Sequence, residues 1–409
     1  MRIANPFVFW FLRHPHFFTI HWLTKFKYLT GKSKGVGILR VTFPEECHLI
    51  PRTNHPMPKF IFLLLFSLTA IATDPDPYTL IKSGHYKQAR TILEAKLKQN
   101  PKDANALWQM AQVKIVYKDL DGALQMAEQA VALDDNNSYA HCMVADAVGS
   151  KIETAGIFSK LGMGKRIRNE AERAVALDPK NVKCLDIMVD FHREAPGILG
   201  GDKAKIPEYI QKMIAADPVQ GHMKEVELAL KDKQIAKIEP AYKALLAEAP
   251  HDYRALVLVG GYYLSDGGGK KFDLAEKYAR DAIKIDPNSM DGYSLLAQAL
   301  IQQNKDAEAD AVLAQAEKDA PYSLNAHYQA GKAFLVLNRN LPTAEKYIRK
   351  YLTQEPEPTT PPLAAAHWRL GLVLEKEGKK PEALKEVQLA LQMKPDLKQA
   401  EPDLKRLKG

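Results

Sequence analysis

Cysteine is scarce in this chain, and its scarcity removes two classes of site. The 409 residues hold three, Cys47, Cys142 and Cys184. None stands in a C-x-x-C pair or beside a histidine at metal-ligand spacing, so a zinc or dithiol redox centre is excluded. Two readings stay open for Cys142 and Cys184: a disulfide in an oxidising compartment, or two packed apolar thiols. Charge of one sign is scarce too, once it is located. The formal +8 sits at the front, because residues 1–56 carry eight Lys/Arg against two acids and Lys59 adds one more. Residues 73–409 keep 48 bases against 47 acids. A body so near neutrality lacks the basic field of a nucleic-acid binder.

Long apolar runs are also few. One runs from Phe60 to Leu65, inside MPKFIFLLLFSLTAIATDPDP. A lysine before it, a small-x-small ending at Ala70-Ile71-Ala72 and acids directly after it match a secretory signal, residues 57–72, cleaved after Ala72. The run is short for a bilayer span, and no cysteine offers a lipid anchor; an uncleaved membrane anchor is the rival reading. Residues 1–56 hold ten aromatics and five of the twelve histidines without lasting periodicity. They read as a leader, disordered and of doubtful reality, preceding a natural start at Met57; an unusually long leader is the alternative. The expected destination is the periplasm, with secretion or membrane tethering as alternatives.

What the chain does have is a repeat. Pro101, Asp135, Pro179, Pro218, Pro250, Pro287, Pro321, Pro356 and Pro395 form one series, with several intervals at or within two of 34 residues. Proline starts helices but cannot continue them, so each site separates one unit from the next. Twelve residues before these sites stand Ala89, Ala123, Ala275, Ala309, Ala344 and Ala383, and five before them Ala130, Ala174, Ala282, Ala316 and Ala390. Helix axes approach to about 8 Å only over such small side chains. Leu256, Val259, Gly260 and Tyr263, and later Leu370, Gly371 and Leu374, supply the complementary first-helix face.

These residues resemble the tetratricopeptide repeat, W-x2-L-G-x2-Y followed by Ala, aromatic, Ala and Pro, over about residues 76–398. The resemblance implies an all-α, right-handed superhelical solenoid of about nine helix-turn-helix units. Ile167, Ile206 and Ile238 replace the first alanine in units three to five, where the packing departs most. The chain then closes in a polar tail, residues 399–409, that shields the last pair. Extra residues fall in GSKIETAGIFSKLGMGK, REAPGILGGDKAK and SDGGGKK, which are expected as loops on one edge. The second of these lacks the strand and G-x-x-x-x-G-K-[ST] order of a phosphate loop. It is similar to a loop in exported bacterial repeat proteins, among them the periplasmic subunit associated with TRAP-type transporters.

No nucleophile–base–acid set is visible, and His141, His327 and His367 read as packing residues with satisfied rings. An enzyme, a metal site and a bound cofactor are therefore not expected. The resemblance implies that first helices line a concave face where a protein or peptide lies. Carried over by register, its candidates are Trp108, Gln112, Tyr139, Lys183, Asp186, Asp190, Arg254, Asp291, Gln298, Asn325, Tyr328, Lys332 and Trp368. Trp108 and Trp368 stand out as expected exposed anchors. The function implied is a non-catalytic interaction scaffold of the cell envelope. The alternative is a solute-binding component associated with a transporter.

Overall fold

Aspartate and asparagine side chains start many of the helices. Asp76, Asp103, Asp119, Asn181, Asp217 and Asp252 each accept a backbone N–H in the first turn that follows them. Such caps satisfy donors that the helix itself leaves open. The computed structural model describes residues 75–152 and 155–409. The proposed leader and export signal lie outside the described residues.

The described residues form nine helix pairs and one further helix. Units one to three pair α1 (Pro77–Lys82) with α2 (Tyr86–Gln99), α3 (Ala104–Val116) with α4 (Leu120–Leu133), and α5 (Ser138–Ile152) with α6 (Ile157–Leu177). Units four to six pair α7 (Val182–Glu194) with α8 (Ile206–Ala216), α9 (Pro218–Lys231) with α10 (Ile238–Glu248), and α11 (Tyr253–Leu264) with α12 (Phe272–Ile285). Units seven to nine pair α13 (Met290–Gln302) with α14 (Asp306–Asp319), α15 (Asn325–Leu337) with α16 (Leu341–Tyr351), and α17 (Leu363–Lys376) with α18 (Lys380–Met393). All nine punctuating residues fall between units or, as Pro218 does, on the first residue of a helix.

The small residues do what their spacing requires. Both alanine series are fully or almost fully buried. Facing them are first-helix glycines: a Cβ on Gly331 would stand 3.1 Å from the Ala344 carbonyl, and one on Gly371 3.1 Å from that of Ala383. Units eight and nine are thus closed by a glycine of the first helix pressed against the fourth residue of the second, and Gly260 meets Ala275 in unit six at 3.5 Å. Ala309→Leu overfills such a crossing in unit seven, and should lower unfolding stability by about 1–3 kcal/mol in urea titration.

Units three to five solve the crossing differently. Ile167 is accommodated by Gly149, whose Cβ would lie 3.8 Å from the Ile167 Cδ1. Before α8 and α10 the first turn is a 3-10 segment, Lys203–Lys205 and Ile235–Lys237, so Ile206 and Ile238 open the α-helix at the position where other units carry alanine. Pro207 and Pro240 follow closely, and the N–H that each lacks keeps the α-helical ladder from reaching further back.

Two of the three insertions are not plain loops. The first lengthens the second helix of unit three to 21 residues, against 14 in α4. The second makes a 3-10 turn, Gly197–Leu199, closed by Gly200 at φ +95°. It drops buried Leu199 onto Gly164 of the lengthened α6, and Gly201 passes so close to the Ala195 carbonyl that no side chain fits. The polar tail is likewise a helix, α19 (Ala400–Lys408), with Ala400 and Leu407 buried. Arg406 binds Glu375 at 2.6 Å, so α19 is anchored on unit nine. Cys142 and Cys184 are buried free thiols; burial, and then each other's proximity, pushes the Cys142 thiol up.

Ion pairs tie successive units. Glu276 of α12 accepts from Lys305 and Gln303 of unit seven at 2.8 and 2.9 Å, and from Arg280. Burial alone would raise this carboxyl, but these donors outweigh it and lower it to about 2. Glu345 is lowered to about 2 in the same way by Lys379 and Arg349. A depressed carboxyl stabilises the fold fully above its ordinary value near 4.5 and loses that contribution as pH falls toward 2. The melting temperature should therefore drop through this window, and Glu276→Gln should flatten part of the fall in calorimetric scans.

Candidate partner-binding surface

First helices of successive units lie side by side, so residues one repeat apart become neighbours. In units one to three this gathers aromatics. Trp108 stacks on Tyr139 with ring centres 4.8 Å apart, and Tyr78 meets Trp108 edge-on at 5.2 Å. Burial, with Tyr139 alongside, pushes the Tyr78 hydroxyl well up. The expectation that Trp108 is exposed fails: it is 4% exposed, and its indole donates to Asn105 at 3.2 Å. The W-x2-L-G spacing marks the residue that fills the groove between units, and burial follows from that role.

In units three to five the neighbours are charges. Lys183 binds Asp146 at 3.0 Å. Lys224 on α9 reaches back to Asp186 at 2.8 Å and Asp190 at 2.7 Å, and touches Glu227 at 3.3 Å; its side chain is only 3% exposed. Lys231 closes the row on Glu227 at 2.6 Å. Burial opposes the charge on Lys183 and on Lys224, yet their carboxylates outweigh it and hold both ammonium groups above the ordinary lysine range. Asp186 goes the other way: burial raises its carboxyl despite Lys224. Asp146, Lys224, Glu227 and Lys231 escaped the sequence reading, although Lys224 stands one 34-residue period after Asp190.

Beside this row, where units four, five and six meet, lies a groove of about 360 Å³ lined by Asp186, Met213, Met223, Lys224, Leu230 and Tyr242. Met223 and Leu230 are exposed there. Charge and apolar surface thus share one face of α9.

The remaining candidates are spread out. Arg254 is held by Asp217, through contacts of 2.8 and 3.1 Å, and by Asp252 at 2.7 Å, and serves to fasten units five and six. Gln298 donates to the Ser294 carbonyl of its own helix. Tyr328 is buried beside Tyr351, with ring centres 5.1 Å apart. Asn325 and Asp291 line a second cavity described below. Gln112 and Lys332 are half-buried. Trp368 is not a free anchor either: its indole donates to Asp403 of α19 at 2.8 Å, and Arg369 covers its ring at 4.3 Å.

The three first-helix histidines are engaged by glutamates. His141 meets Glu170 and His367 meets Glu386, both at 2.6 Å, and His327 meets Glu317 at 3.1 Å. Each glutamate sits on a second helix. The first two brace the helices of a single unit, and His327 with Glu317 joins units seven and eight. Among the described residues no group of three His, Cys, Asp or Glu side chains is placed to hold a metal ion. No helix among them is long and apolar enough to cross a membrane.

Stacked helix pairs, six of the nine closed by a buried alanine, define an α-helical repeat solenoid. The family model of the tetratricopeptide repeat matches residues 328–398, in units eight and nine. A second family model, regulator of microtubule dynamics protein 1-3, matches residues 78–195. No curated protein matches the chain. Among solved structures, the chain is similar to yeast Tom70 at 13% identity and TM-score 0.43, over 83% of this chain and 88% of that one. It is similar to a tetratricopeptide repeat protein from Parabacteroides merdae at 14% identity and TM-score 0.41, over 65% of this chain and 99% of that one. The human IFIT1 dimer with m7Gppp-AAAA follows at 15% identity and TM-score 0.39, over 78% and 81%.

Proposed function

We propose that this chain is an exported, non-catalytic scaffold that binds a protein partner through the first helices of units three to five. One observation carries the reading. The α9 face sets exposed Met223 and Leu230 beside a row of alternating charge from Asp146 to Lys231. Apolar side chains next to fixed charges suit an extended peptide that buries an apolar residue and places a basic one against Asp186, Asp190 or Glu227. The charges select, and the apolar pair supplies contact area.

Site-specific photocrosslinking from position 223, set against a control at exposed Lys284 on α12, tests the surface. A partner captured at 223, absent at 284 and lost in Leu230→Glu is the expected result. Equal capture at both positions would sink the proposal. Export to the cell envelope is the second half of the reading. It predicts a mature protein that begins at Thr73, and mass spectrometry that finds a start well before Thr73 would refute it.

A further inference from the structure

The solenoid returns on itself. The turn between α1 and α2 of unit one touches the loops that follow units six, seven and eight. His85 packs on Tyr322 with ring centres 3.9 Å apart, and the Lys87 backbone N–H donates to Glu357 at 3.1 Å across 270 residues. The Lys87 ammonium binds the Glu355 carbonyl. No side chain of α2 itself caps its N-terminus, so Glu357 does this from the far end of the array.

This seam lines a half-open cavity of about 320 Å³, the size of a small-molecule site. Its lining has three carboxylates, Asp286, Asp291 and Glu357, and none of them has an ion-pair partner among the described residues. Asp286 accepts only a backbone N–H, from Asn288 at 3.0 Å. Glu357 is 5% exposed and accepts the backbone N–H groups of Lys87, at 3.1 Å, and of Tyr86, with no side-chain cation on it. Asp291 lies at the open rim of the cavity with no side-chain hydrogen bond among the described residues, and partial desolvation raises its carboxyl. His85 does not supply the missing positive charge, because burial lowers its pKa.

Two further features point to an organic ligand. Tyr253 and Tyr322 add ring faces, and the Tyr322 ring is fixed by its hydroxyl, which donates to the Asn288 carbonyl at 2.7 Å. Cations favour such faces. Asn325 is 9% exposed and lines the cavity; its Oδ1 accepts from Gln329, while its Nδ2 has no partner among the described residues. That amide donor is open to the cavity, where an acceptor oxygen on a bound molecule can meet it.

We propose that the seam cavity binds a small organic cation with an ammonium or guanidinium group at one end and an acceptor oxygen at the other, the chemistry of a basic amino acid. The cation lies against Asp286, Asp291 and Glu357, and the oxygen takes the Asn325 donor. This site is separate from the α9 groove. It also lies away from the loops of units three and four.

Isothermal titration of the full chain with L-arginine, against L-glutamate as the probe of opposite side-chain charge, tests it. Arginine should bind and glutamate should not. Asp291→Asn removes a carboxylate without a partner and leaves the fold intact, so its melting should stay unchanged while arginine binding weakens about tenfold or more. Asp190→Asn, in the α9 groove, should leave arginine binding as it was. Equal binding of glutamate, an unaffected Asp291→Asn, or an equal loss in Asp190→Asn would each overturn the assignment. Photocrosslinking from position 223 in Asp291→Asn keeps the two proposals distinguishable, because it should not change.

Discussion

Lys224→Met should destabilise the middle of the array more than any other single surface-charge change. The methionine keeps the stem and removes the ammonium, which leaves Asp186, Asp190 and Glu227 facing one another with only Lys183 and Lys231 nearby. Taking one partner from a buried ion pair costs about 3–5 kcal/mol, because the other charge stays buried without compensation. Asp186 and Asp190 are 31% and 43% exposed, so water screens part of that cost and about 2–4 kcal/mol is expected. Adding Asp186→Asn should recover part of the loss, since one stranded carboxylate is then neutral. Urea midpoints for the two single variants and the double variant measure the coupling. An unchanged midpoint in Lys224→Met would show that the row is a solvated surface rather than a joint between units four and five.

Much of this fold was legible because repeats turn packing into spacing. Ala309 and Gly371 could be placed from sequence since the regular crossing of these units tolerates little that is larger. The partners of those residues could be placed as well. Exposure was not legible in the same way. Trp108 and Met223 both sit on first helices, yet one is sealed under Tyr78 and Tyr139 while the other faces solvent. Which face is covered depends on the next unit and on α19, which covers Trp368 from 35 residues away. The insertion in unit three became helix, because nothing in IFSKLGMGKRIRNEA stops one. The seam was out of reach altogether. Its contacts arise from small rotations summed over many units, and no local pattern carries that sum.

Leu300→Ala and Leu245→Ala make a paired test of how cohesion is distributed. Both leucines are fully buried, so the transferred surface is the same. Their surroundings differ. Leu300 belongs to one continuous apolar cluster that runs from Ala275 to Leu407, whereas Leu245 sits with Val219, Ala255, Val259 and Tyr263 in a small separate cluster. Such truncations cost about 2–5 kcal/mol, and the cost rises where the cavity cannot collapse. Leu300→Ala should fall near the top, about 4–5 kcal/mol, since tightly packed neighbours on several helices hold the void open. Leu245→Ala should fall near the bottom, about 2–3 kcal/mol, because fewer neighbours frame it and α10 can settle inward. Hydrogen exchange should show where each loss is felt. In a stack coupled through nearest neighbours, Leu300→Ala should lower protection across residues 275–407 together, and Leu245→Ala should open α9 to α11 alone. Equal losses with the same exchange pattern would mean that the seam couples the whole array into one cooperative unit, and that the thin packing of units four to six is no boundary at all.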